Sequence, residues 1–205
     1  MQHFYHYTSK KNWDKIQKFK MLLPLTKVYN IHKKYFSKRT KSIVKFKKYT
    51  VGFPEIRHKG WVEYGLWDEI FRLIKCEVLL KIKIPDNSKG FVREHLFCSP
   101  KGMQQKYGED VYHLGYSRKI STRDSRIIES LVEYWNAVLP LYEYKNNFVV
   151  PEIWIPENIP LKDIQKNFCD FNLFHNTINN FFILQFFKQF KRFINRIIFM
   201  HNSPY

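Results

Sequence analysis

The sequence predicts a single α+β domain followed by a segment of different character, and three observations carry that prediction. At 205 residues with 44% apolar and 18% aromatic side chains, the chain can bury one sizeable core and lacks the low hydrophobicity of disordered chains. Strand and helix signals follow one another as strand, helix, strands, helix, strands, without the regular alternation that builds a parallel α/β sheet. The last stretch, 174–200, sets Phe182, Phe186, Phe190, Phe193 and Ile197 against Lys188, Arg192 and Arg196 at helical spacing, an amphipathic and cationic pattern. The domain is therefore expected over residues 1–168, with a basic, Phe-rich helical segment over 169–205.

Within the domain, residues 4–8 read as a short opening strand. Ser9 offers an N-cap for a helix with Trp13 and Ile16 on one face, stopped by Pro24. The stretch 26–48 is basic and aromatic without clean period, a loop or partly helical flap carrying Tyr29, Tyr35, Phe36 and Arg39. Residues 49–53 read as a strand ended by Pro54, residues 67–74 as a short helix, and residues 77–84 as a strand closed by the Pro85-Asp86-Asn87 turn. The stretch 90–122 has turn residues and little period, which suggests loops with short strands. Asp124 or Ser125 caps a helix over 126–138 whose stripe is Ile127, Leu131, Tyr134, Trp135 and Val138, and Pro140 ends it. Residues 148–155 form an apolar run interrupted by Pro151-Glu152, and Pro156 and Pro160 bracket the next turn.

Charge is unevenly placed. There are 35 Lys and Arg against 18 Asp and Glu, a net charge of +17. Fourteen basic residues and one acid, Asp14, fall in the first fifty positions, whereas residues 51–170 hold seventeen of each. Two basic ends on a neutral body attract a polyanion or an anionic membrane surface. Lys outnumbers Arg 26 to 9, a bias that an AT-rich genome produces without selection for binding, so charge alone names no partner. Three widely spaced cysteines without a CxxC pair, no secretory pattern and no apolar run of spanning length suggest a reduced, cytoplasmic chain.

Seven glycines, none in a GxGxxG or GxxxxGK[ST] arrangement, exclude a Gly-rich phosphate cradle. Eight histidines occur without HExxH, no GxSxG is present, and His95 with Cys98 is a single pair short of a ligand set, so no metal is expected. Two places remain where chemistry can sit. His6 and Thr8 alternate onto one face of the opening strand, a ring nitrogen and a hydroxyl suited to a small polar ligand. Glu152 opens the apolar run Ile153-Trp154-Ile155, where an ionised carboxylate is costly without partners or a task.

Taken together, these stretches resemble the ADP-ribosyltransferase-fold family. The run 4–16 with His6, Thr8, Asn12, Trp13 and Ile16, followed by Leu23-Pro24, looks like that family's opening H-x-[ST] strand, short helix and turn. The run 151–164, with Glu152, Pro156, Pro160 and Ile164, is similar to its closing strand. The resemblance covers residues 3–165 and implies a split β-sheet core. It also implies that NAD is held by His6 and Thr8, with Tyr49 as the candidate for the aromatic that stacks on nicotinamide, Trp61 and Tyr64 standing behind it. Glu152 takes the place of the catalytic glutamate, and residues 139–151 that of the loop contacting the acceptor. Arg39, Arg57 and Arg93 are candidates for the pyrophosphate, and sequence does not choose among them. A glutamate facing the ribose suits the reaction, because cleavage of the nicotinamide–ribose bond builds positive charge on the sugar.

The expected activity is transfer of ADP-ribose from NAD to a macromolecule, DNA, RNA or a protein side chain. The family also holds NAD-dependent RNA 2′-phosphotransferases, whose extra basic residues have no clear counterpart here. A rival reading is a non-catalytic nucleic-acid-binding protein whose aromatics and lysines track a backbone. A third is attachment to a membrane surface through the C-terminal helix, set against simple packing of its Phe face on the body.

Overall fold

The computed structural model describes residues 1–28, 30–67, 77–96, 99–108 and 125–167. The chain divides into two units, 1–169 and 170–205, and all described residues lie in the first. The expected C-terminal helix over 169–205, and the helix expected over 67–74 beyond its first residue, fall outside the described residues.

Strand β1 (His3–Thr8) leads into helix α1 (Lys10–Phe19), where the Ser9 side chain accepts the backbone N–H of Asn12 and Trp13 and Ile16 are buried, as the cap and spacing predict. Pro24 does not stop this helix. It ends at Lys20, whose left-handed backbone (φ 55°) turns the cap N–H back onto the Ile16 carbonyl. Strands β2 (Met21–Leu22) and β3 (Thr26–Lys27) follow. The basic stretch is then a 3-10 turn (Asn30–Tyr35) and helix α2 (Lys38–Ile43), capped by Ser37. After β4 (Lys48–Gly52), α3 (Lys59–Glu63), β5 (Val78–Lys83) and β6 (Phe91–Glu94) come α4 (Pro100–Tyr107), α5 (Ser125–Asn136) and β7 (Val138–Pro140). Strands β8 (Pro151–Ile155), β9 (Ile159–Pro160) and β10 (Ile164–Asn167) complete the described chain. The fold is thus α+β. None of the described helices is long and apolar enough to cross a membrane.

The strands form two main antiparallel sheets and a small clip. One sheet has the order β1-β5-β10, with His6 opposite Leu80 and Ile164 opposite Ile82. The other has the order β3-β4-β8-β6-β7, with Thr50 opposite Ile155 and Arg93 opposite Glu152. Among the described residues the backbone link between these sheets is one rung, Tyr5 to Phe53, whose two N–H···O bonds are each 2.8 Å. Gly52 permits that rung, since a Cβ there would stand 2.3 Å from the Tyr5 carbonyl oxygen.

Alternation then sorts the side chains into two cores. Phe4, Leu80 and Ile82 from the first sheet meet Val92, Ile153 and Ile155 from the second, with Trp13 and Ile16 of α1 joining them. On the opposite face of the second sheet, Tyr49, Phe91 and Trp154 pack against Trp135 of α5 and against Phe36 and Val44. Each such buried side chain contributes roughly 1.5–3 kcal/mol relative to exposure. One amide ties the second layer together: Asn136 accepts from the Ser37 N–H and the Thr40 hydroxyl, and donates to the carbonyls of Tyr35 and Val132.

Candidate active site: a carboxylate under an aromatic-walled guanidinium

Glu152 is the second residue of β8, and because Ile153 points into the core between the sheets, Glu152 points to the opposite face. There its Oε2 accepts from the indole Nε1 of Trp154 at 2.8 Å and from the Tyr134 hydroxyl at 3.3 Å. Two further groups crowd the same oxygen: His95 Nδ1 at 3.7 Å and Arg93 Nε at 3.9 Å, both beyond hydrogen-bond length. Oε1 carries no hydrogen bond among the described residues, and the side chain keeps 12% of its exposure. Burial alone pushes this carboxyl up. The adjacent imidazole of His95, the Arg93 charge and the Trp154 donor outweigh it and hold the group down at about 2.

Arg93 has an unusual setting. Its side chain is 0% exposed, and none of its three guanidinium nitrogens has a hydrogen bond. Rings replace them: the guanidinium carbon lies 4.0 Å from the centre of Trp154, 4.1 Å from Trp135 and 4.3 Å from Tyr134. Cation–π attraction of this kind, strongest when desolvated, offsets part of the cost of burying the charge. His95 is held in turn by Trp61, 4.9 Å between ring centres, and Trp61 donates its Nε1 to the Pro151 carbonyl.

A second buried carboxylate, Glu94, is spent on the backbone. It accepts from the N–H groups of Val149 and Val150, which precede β8, and of Leu96. Glu94 thereby fixes the loop that delivers Glu152, and its oxygens are not offered to a ligand.

His6, Thr8 and Tyr49 come together elsewhere. They line a pocket of about 350 Å³ between β1, α1 and β4, at the small end of the range of small-molecule sites. Lys15 and Phe19 stand on its wall, and so does Thr50, buried with its hydroxyl unpartnered. His6 keeps its Nδ1 2.7 Å from the Val51 carbonyl, and burial lowers its pKa below the usual histidine value. The Tyr49 ring is fully buried among Phe91, Trp154 and Phe46, so an aromatic face for nicotinamide is not presented by it.

Glu152 is not part of that pocket's wall. His6 and Thr8 alternate with Phe4 toward the space between the sheets, whereas Glu152 points away from it. The convergence of His6 and Glu152 on one cleft, expected from the resemblance, is not found among the described residues. Arg93, one of three pyrophosphate candidates, is closed off from solvent beside Glu152, Arg39 is paired with Glu143 at 3.3 Å, and Arg57 is exposed.

Sequence reasoning missed Arg93, His95 and Tyr134 as neighbours of Glu152. Tyr134 read as one residue of a core stripe, and the β6–β8 register that sets Arg93 opposite Glu152 has no local signature. Among the described residues no group of three His, Cys, Asp or Glu is arranged to hold a metal ion. Comparisons with protein-family models, curated proteins and solved structures return no match.

Proposed function

We propose that this chain cleaves NAD and transfers ADP-ribose, with Glu152 as the catalytic carboxylate. The observation that carries the proposal is the asymmetry of that side chain: two donors bond Oε2 with His95 and Arg93 close beside it, and Oε1 has no hydrogen bond among the described residues and is left for a ligand. A carboxylate held near 2 is ionised at neutral pH, which makes it a poor general acid and a weak base. It suits a fixed negative charge beside a developing cation. In the proposed reaction the ribose C1′–nicotinamide bond breaks and its electron pair leaves with neutral nicotinamide. The oxocarbenium-like sugar is stabilised by Glu152, and an acceptor oxygen or nitrogen closes the new bond and releases its proton to solvent.

The split sheet supports the resemblance to the ADP-ribosyltransferase fold, with β1 and β8 flanking β4. The proposal draws no support from His6 and Thr8, which front a separate pocket. It therefore places the reacting ribose at Glu152 and assigns no shared dinucleotide to the two places.

The test is nicotinamide release from NAD by the purified chain, with single-stranded and duplex oligonucleotides and with protein as acceptors. Glu152→Gln keeps the shape of the side chain and is expected to lower the rate by about 10²–10³-fold. Release that survives Glu152→Gln, or no release with any acceptor or with water, overturns the proposal. A second reading has its own observation. The four neighbours of Oε2 are also what a purely structural buried carboxylate needs, and the protein is then a non-catalytic nucleic-acid binder.

A further inference from the structure

Away from Glu152, three surface depressions join through shared walls. The first, about 240 Å³, lies between β5 and the turn before β10 and has Lys81, Lys83 and Lys162 on its rim. It shares His3 and Lys83 with the second, about 550 Å³, which runs past Ser88 to Tyr142. Ser88 and Tyr142 are also walls of the third, about 400 Å³, which carries Arg39, Lys45 and Lys89. Six basic side chains thus border three adjoining depressions, taken together as one groove. The acidic groups facing it are Asp163, Asp86 and Glu143, the last already paired with Arg39.

One tyrosine marks the groove as more than a charged surface. Tyr142 is 83% exposed and stands at the junction of the two larger depressions. An aromatic ring left this open in a folded chain has a face to offer. Tyr144, on the wall of the second depression, is 8% exposed with its hydroxyl buried, so it closes that wall from the core side.

We infer that this groove binds single-stranded nucleic acid, with Tyr142 stacking on a base and the lysines following the phosphates. Aromatic platforms interleaved with a basic track are the physical requirements for such binding, because every base has a π-face and every nucleotide a charge. A duplex hides its base faces and cannot use Tyr142. The inference is independent of chemistry at Glu152 and holds for a catalytic or a non-catalytic chain.

The experiment is fluorescence anisotropy of the full chain with labelled oligo-dT and oligo-U of about 12 nucleotides, within the usual site sizes, against a duplex of equal length. The two single strands, with oligo-dU added to remove the difference of the thymine methyl group, separate DNA from RNA preference, since only RNA offers 2′-hydroxyls. Tyr142→Ala is expected to weaken single-strand binding by about 5- to 150-fold. Lys45→Glu with Lys89→Glu is expected to flatten the salt dependence. Lys18→Glu, on α1 and outside the groove, serves as the control for charge. No binding at low salt, duplex binding as tight as single-strand binding, or equal losses from Tyr142→Ala, the groove lysines and Lys18→Glu overturn the inference. Tyr142 is a surface residue, and circular dichroism confirms that its variant folds.

Discussion

The guanidinium carbon of Arg93 lies over the indole of Trp154, 4.0 Å from the ring centre, while its Nε is 3.9 Å from Oε2 of Glu152. The charge is therefore walled by rings and lies beside one anion, with a hydrogen bond to neither. That arrangement leaves the Trp154 N–H free to bond Oε2 itself, so one indole supports both members of the pair.

Removing Arg93 strands the carboxylate. Arg93→Met is expected to destabilise the fold by about 3–5 kcal/mol, the range for breaking a buried pair on one side. Adding Glu152→Gln to it is expected to cost less than the sum of the two single changes, with a coupling of about 0.5–3 kcal/mol. Urea unfolding of the four proteins in the cycle measures this, and strict additivity counts against the coupling.

Acid should weaken the fold in a defined window. Glu152 titrates at about 2 in the folded chain against 4.5 for an ordinary glutamate. The unfolded chain therefore takes up this proton first as pH falls. The contribution is whole above about pH 5 and is lost through 4.5 toward 2, amounting to about 3 kcal/mol at most. Glu152→Gln lacks that dependence. The stability gap between wild type and Glu152→Gln should shrink as the buffer is taken from about pH 6 to pH 2, and a constant gap contradicts the placement of the charge.

The junction of the sheets tolerates no side chain at position 52. A Cβ on Gly52 meets both the Tyr5 carbonyl at 2.3 Å and the Phe4 ring at 2.6 Å. Gly52→Ala is expected to lose about 1–3 kcal/mol, as overpacking does, and to speed amide exchange at Tyr5 and Phe53. Unchanged exchange at those two positions shows that the rung does not depend on the missing methyl group.

Elements with local chemistry were legible in the sequence. The Ser9 cap, the buried Trp13 and Ile16, and the strands at β4, β5 and β8 announce themselves through period and punctuation. Helix α4 did not, because its residues carry no apolar stripe; its signal was the Ser99-Pro100 start, with Ser99 capping the Gly102 N–H. Strand β7 was read as the end of the helix before it, since Val138 continued the stripe of α5 while pairing with Arg93 instead. Pro151 looked like an interruption and is the first residue of its strand, where the missing N–H costs least. Glu152 could be singled out from sequence as a carboxylate in an apolar run. Its partners could not, because Arg93 and Tyr134 reach it through a cross-strand register and a helix face that no nearby residue encodes.

With only the Tyr5–Phe53 rung shared between the two sheets among the described residues, backbone pairing does little to set the angle at which one sheet crosses the other. Interdigitation of Phe4, Ile82, Ile153 and their neighbours sets it instead. A change of volume among those side chains can therefore re-aim the whole second sheet, Glu152 on β8 included, while every ladder within either sheet stays in register.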